Sequence, residues 1–123
     1  MERLFLSASA VSGFLAVALG AFAAHGLKNS LDEYFLKVFH TGVEYQFYHT
    51  FALALVGLLA ARGESTSLKF AGYAFLFGIV VFSGSLYVLA LTKTKAWGAV
   101  TPFGGIGFLV GWAGLLVAAF KKG

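Results

Sequence analysis

Four stretches of this chain are almost free of charge: Leu4–Ala24, Thr41–Ala61, Phe70–Leu91 and Pro102–Phe120. They hold 21, 21, 22 and 19 residues, 83 of the 123 in the chain, yet only one of its 14 Asp, Glu, Lys and Arg side chains, Glu44. A hydrocarbon core of about 30 Å takes roughly 20 helical residues at about 1.5 Å each. A soluble helix of that length keeps charges on its outer face, and these stretches do not. The pattern predicts an all-α integral membrane fold: a four-transmembrane-helix bundle in one membrane domain over 1–123, with spans near 4–24, 41–61, 70–91 and 102–120.

Composition supports the same class and excludes others. Charged residues make up 11% of the chain, hydrophobic ones 59%, and there is no cysteine. Such a chain lacks the polar surface of a soluble enzyme, the composition of a disordered tail, and the thiols of a disulfide or zinc module. The net charge of +4 is spread one or two cations at a time near span ends. This is the arrangement of headgroup anchors rather than of a nucleic-acid groove.

With four spans, both termini and the middle loop share one side. That side carries Arg3, Arg62, Lys69, Lys121 and Lys122, against Lys28, Lys37, Lys93 and Lys95 on the other. The small excess places the termini in the cytoplasm; the opposite side is called outer here. Ala21-Phe22-Ala23 resembles a signal-peptide cleavage site, but the basic n-region is poor and the apolar run is long, so a retained helix is the preferred reading.

The first connection is the most structured. Ser30-Leu31-Asp32-Glu33 matches a capping box, with Ser30 as N-cap and Glu33 at N3. It predicts a short interfacial amphipathic helix over about 31–40 between the first and second spans, with Tyr34, Phe35, Val38 and Phe39 on its apolar face and a bend at Gly42. A single long helix is the alternative. Thr101-Pro102 reads as N-cap and N1 of the last helix, and Arg62–Ser67 as a short polar turn.

Small residues recur at steps of three and four in each span. They are Ser9, Gly13, Ala16 and Gly20; Thr50, Ala54, Gly57 and Ala61; Ala71, Ala74, Gly78 and Ser85, with Val81 filling a longer step; and Gly104, Gly107, Gly111, Gly114 and Ala118. Such stripes let helix backbones approach closely in lipid, where burial of apolar area gives little drive. Tight packing leaves little lumen, and no continuous polar stripe marks a pore within one chain.

The few polar groups inside the spans are the candidate site. Gln46, His49 and Thr50 fall within an arc of roughly 100° on the second span. Matching depths by helical rise sets them near Ser83, Ser85 and Tyr87 of the third span, His25 at the outer edge of the first, and Thr101 at the start of the fourth. All of these lie in the outer half. Two readings stay open: interhelical hydrogen-bond glue, and a pocket for a small molecule, ion or proton. Glu44 points about 160° away from Gln46 and is read as snorkelling or pairing with His40. Trp112 is read as lipid-facing or packing. The three histidines lack ligand spacing, and no Ser-His-Asp set can be assembled. No metal, cofactor or catalytic constellation is therefore expected. The expected partners are the lipid bilayer and either a second copy or another membrane protein, not nucleic acid.

Four local motifs contain these same polar groups, Thr50 excepted: Gly20–Lys28 (GAFAAHGLK), Val43–His49 (VEYQFYH), Phe82–Tyr87 (FSGSLY), and Thr101–Gly105 (TPFGG) with Gly111-Trp112. Together they resemble the small bacterial inner-membrane family called domain of unknown function 423, related to eukaryotic transmembrane protein 256. The resemblance implies a four-helix protein of the bacterial inner membrane and brings no activity, cofactor or catalytic residue with it.

Overall fold

The computed structural model describes residues 1–121; Lys122, one of the cationic anchors, lies outside them. The regular structure of the described residues is all helical. Helix α1 spans Glu2–His25 and α2 spans Glu33–Arg62. A third long helix is built from α3 (Thr66–Gly78), one π turn (Ile79–Ser83) and α4 (Gly84–Thr92). A 3₁₀ turn over Lys95–Ala99 leads into α5, Thr101–Phe120. Three of these units, Glu2–His25, Thr66–Thr92 and Lys95–Phe120, are long and apolar enough to cross a membrane. Helix α2 has the length, at 30 residues, but Glu44, Gln46 and His49 dilute its apolar stretch.

The first connection differs from the expected separate interfacial helix. Helix α2 runs unbroken through Gly42 from its start at Glu33, so the segment 31–40 becomes the first turns of one long helix. Gly42 is no bend because it is packed: a Cβ there would lie 2.8 Å from the Tyr87 ring. The N-cap is Asp32 rather than Ser30. Its carboxylate accepts from the Phe35 N–H at 3.1 Å, while the Ser30 hydroxyl turns back to the Gly26 carbonyl at 3.2 Å. A carboxylate satisfies an orphan N–H and also meets the positive end of the helix dipole, so Asp32 outcompetes the serine.

Helix α1 packs along α2, α2 against the third helix, and the third helix along α5. At one end of the bundle sit the N-terminus, the Gly63–Ser65 turn and the end of α5; this is the terminal end. There the N-terminal ammonium stands 3.7 Å from Glu64, and the Ser65 hydroxyl caps α3 by accepting from Leu68 N–H at 3.1 Å. The other, the loop end, holds the two longer connections. Two apolar clusters fill the interior. Phe5, Leu53, Val56, Ala71, Phe75 and Phe108 form the one toward the terminal end. Ala23, Leu27, Phe39, Val43, Leu89 and Ala90 form the one toward the loop end.

The closest approach is between α5 and the third helix. A Cβ on Gly104 would fall on the backbone of Phe82, one on Gly111 would meet the Phe75 ring at 2.5 Å, and one on Gly114 would meet the Ala71 Cβ at 3.0 Å. Gly78 and Gly107 complete the seam, where a Cβ on Gly107 would lie 3.3 Å from the Gly78 Cα. Here glycine is required by space, because dispersion between touching backbones is what joins helices in lipid. On α1 the buried stripe is Phe5, Ser9, Ser12, Ala16 and Ala23. Gly13 and Gly20 flank it, with ordinary room for a Cβ, 3.5 Å from Thr50 and Val43 respectively. On α2 the buried face centres on Leu53, Val56 and Gly57, Ala54 sits at its margin, and Ala61 is exposed.

A polar layer across the bundle

Between the two apolar clusters lies a layer of polar side chains. Gln46 is its hub. Its Nε2 donates to the Ser12 carbonyl at 2.8 Å and to the Ser12 Oγ at 3.3 Å. Its Oε1 accepts from the Tyr87 hydroxyl at 2.5 Å. The Ser12 and Thr50 hydroxyls share a further bond at 2.6 Å. One amide thus ties α1, α2 and α4 together. Beside it the Ser83 hydroxyl, at the end of the π turn, donates to the Gly42 carbonyl at 2.7 Å. A π turn adds a residue to the helical ladder and rotates the helix beyond it. Within this turn Ser83 bonds to α2 and the Phe82 backbone lies against Gly104.

His49 belongs to the same layer but faces α5. Its Nδ1 donates to the Tyr45 carbonyl at 2.8 Å, which leaves Nε2 as an acceptor. Trp112 Nε1–H donates to it at 3.1 Å. The two bonds select the Nδ1–H tautomer of a neutral imidazole. The ring lies flat on Phe108, with centroids 3.5 Å apart and planes within 7°. Both nitrogens are occupied by the protein, so this imidazole has no lone pair free for a metal or a substrate proton.

The structure divides the candidate residues into three places. Gln46, Thr50, Ser83, Tyr87 and His49 share the central layer. Ser85 and Thr101 form a separate pair nearer the loop end, with hydroxyls 2.5 Å apart. Ser85 also donates to the Phe82 carbonyl at 2.9 Å. His25 stands apart, exposed and bonded to its own helix through Ala21 O at 3.0 Å. Thr101 is the first residue of α5 and Val100 its N-cap; the hydroxyl expected to cap the helix is engaged by Ser85 instead.

Two further members of the layer sit near the middle of their helices. Ser12 is halfway along α1 and Trp112 halfway along α5. Depth-matching by rise ignores side-chain length, and Tyr87 and Trp112 both reach across levels. Two members of the layer are absent from the residues that the sequence pattern singles out as polar partners. Ser12 lies one position off the Gly13 stripe, and its signal was the 5, 9, 12, 16 spacing with Phe5. Trp112 carried the signal of a lone indole N–H inside a span, which needs an acceptor. Glu44 faces away from the layer, and no ion pair with His40 is present among the described residues.

Among the described residues, every buried side-chain nitrogen or oxygen has a hydrogen-bond partner. The neighbouring concavity is an apolar groove of about 360 Å³ between α1 and the third helix. Leu4, Val11, Leu15, Leu76, Ile79 and Val80 form its walls together with the exposed Ser7, and Ser12 and Gln46 its floor. Both floor residues are buried, with their bonds already made inside the protein.

Comparison with known proteins places these features in a family. A family profile described as "Protein of unknown function (DUF423)" matches residues 19–105. "UPF0382 membrane protein YwdK" of Bacillus subtilis is 43% identical over 120 residues, 97% of this chain and 98% of the relative. A "UPF0382 membrane protein" of Haemophilus influenzae is 44% identical over 122 residues, 99% and 98% of the two chains. "UPF0382 inner membrane protein YgdD" of Escherichia coli is 45% identical over 122 residues, 98% and 92% of the two. No solved structure matches. With a profile across most of its length and membrane-protein relatives across nearly all of it, the chain belongs to the DUF423 family.

Proposed function

We propose that this protein is a non-enzymatic accessory or assembly component of the bacterial inner membrane. In this reading α2 is the second of four spans, its first turns from Glu33 to His40 lie in the outer interface, and both termini are cytoplasmic. The polar layer acts as a lock that fixes the relative rotation of the helices, so that the outer faces of the bundle meet a partner in one arrangement. Away from the glycine seam of α5, apolar packing alone specifies rotation weakly, because one aliphatic residue replaces another at little cost. Directional bonds from one glutamine to α1 and α4 specify it strongly.

The observation that carries this reading is the closure of the layer: Gln46, His49, Thr50, Ser83 and Tyr87 are each bonded within the chain. A ligand site aims several unpartnered donors or acceptors at a space, and here the space beside the layer is walled with aliphatic groups apart from the exposed Ser7. The second reading, a binder or transporter of small molecules or ions, draws support from the Ser12 and Gln46 floor of that groove. Native mass spectrometry of protein extracted in mild detergent separates the two. The assembly reading expects masses of the chain with itself or another protein. A stoichiometric small molecule that disappears in Gln46→Leu, while the melting temperature holds, would overturn it.

A further inference from the structure

The groove between α1 and the third helix opens on lipid, since both of its walls are helices long and apolar enough to cross a membrane. From Leu4 to Leu15 it follows α1 for on the order of 16 Å at about 1.5 Å per residue. That is the depth of one leaflet in a hydrocarbon core of about 30 Å. A groove of this kind fills with an acyl chain, because a void forfeits dispersion contacts along every wall.

Its polar groups come in an order. Arg3, Ser7 and Val11 follow one another at four-residue steps on α1, and Lys69, Leu76 and Val80 share one face of the third helix. Arg3 and Lys69 are exposed at the terminal end, and among the described residues neither is paired with an acid. Glu64 is engaged by the N-terminal ammonium, and Glu2 lies about 160° round α1 from Leu4. Ser7 comes one turn deeper than Arg3, in the groove wall. The Ser9 and Ser12 hydroxyls are bonded within the protein, whereas that of Ser7 donates to nothing among the described residues. Beyond it the walls are aliphatic to the level of Ser12. Two cations, a hydroxyl donor and an aliphatic channel thus succeed one another with depth. A glycerophospholipid presents the complements in the same order: phosphate, ester carbonyl and acyl chain.

We propose that this groove seats one glycerophospholipid from the leaflet at the terminal end. Its phosphate lies between Arg3 and Lys69, its ester carbonyl accepts from Ser7, and one acyl chain runs to the level of Ser12. The site uses none of the bonds of Gln46 or His49, so it goes beyond the assembly reading and stands or falls apart from it.

Val11 and Val17 are about equally exposed on α1, at 60% and 61%, and of the two Val11 lines the groove. Delipidated protein in mild detergent is offered palmitoyl-oleoyl phosphatidylglycerol, and native mass spectrometry counts the lipid bound. Wild type and Val17→Trp should retain one lipid per chain. Val11→Trp, whose indole fills the groove, should lose it. Ser7→Ala should weaken binding about threefold, the effect of one neutral hydrogen bond. Arg3→Gln combined with Lys69→Gln should weaken it on the order of tenfold, and diacylglycerol with the same chains should bind wild type as weakly. Circular dichroism checks folding, and Leu15→Trp plugs the same groove if Val11→Trp does not fold. No lipid on the wild type, or equal retention in Val11→Trp and Val17→Trp, overturns the proposal. So does a protein mass, in place of lipid, that Val11→Trp releases. None of these results overturns the assembly reading, which Gln46→Leu tests.

Discussion

Gln46 links three helices, because its two amide ends bond to different neighbours. Gln46→Leu should remove the bonds to Ser12 and Tyr87 together and leave the Tyr87 hydroxyl without its acceptor in a buried layer. Interhelical bonds in membranes contribute about 0.6 kcal/mol on average and up to about 1.7, so a loss of about 1–2 kcal/mol is expected. Reversible unfolding in detergent measures it. A double-mutant cycle with Tyr87→Phe should give a coupling of at least about 0.5 kcal/mol; additive losses would show that the bond does not hold α2 to α4. At His49 the prediction is spectroscopic. Nitrogen NMR should report a neutral ring protonated at Nδ1, and Trp112→Phe should shift the Nε2 resonance while sparing Nδ1. A ring protonated at Nε2 would be incompatible with both observed bonds.

At the scale of the helix, glycine has two different meanings in this chain. On α5 it is a condition of contact, since the backbone of Phe82 occupies the place of a Gly104 Cβ. On α1 Gly13 and Gly20 stand beside the contact, where a Cβ would meet its neighbour at an ordinary 3.5 Å. Gly104→Ala should therefore cost several times more stability than Gly13→Ala, with helix content and melting temperature as the readout. Gly13→Ala should be close to neutral, as alanine also favours the helix by roughly 1 kcal/mol. This difference also marks what was legible in the sequence. Periodicity locates a stripe, and on α5 the stripe of small residues and the contact face coincide. On α2 they part, because Leu53 and Val56 are buried and Ala61 is not: a large aliphatic residue fits a groove as well as a small one fits a ridge. The π turn left no mark in the sequence. Ile79–Ser83 contains neither proline nor glycine, and its contacts to α2 and α5 through Ser83 and Phe82 are long-range. The capping motif located the start of α2 within a few residues, but Asp32 and Ser30 competed for one role, and charge decided it.

For the whole molecule, the distribution of charge along the chain was sufficient to indicate helices of membrane length. The vertical order within the bundle needed the coordinates. An apolar cluster, a hydrogen-bonded layer and a second apolar cluster succeed one another from the terminal end to the loop end. Rise per residue alone takes no account of how far tyrosine and tryptophan reach, so it left Ser12 and Trp112 out of the layer. The central claim is that this layer is complete without any other molecule. A high-resolution density map of the protein in a lipid nanodisc tests it most directly. The account predicts continuous side-chain density linking Ser12, Gln46, Thr50 and Tyr87, and His49 to Trp112, with nothing bound between them; an ordered ligand or ion held by Gln46 or His49 in place of those bonds would contradict it.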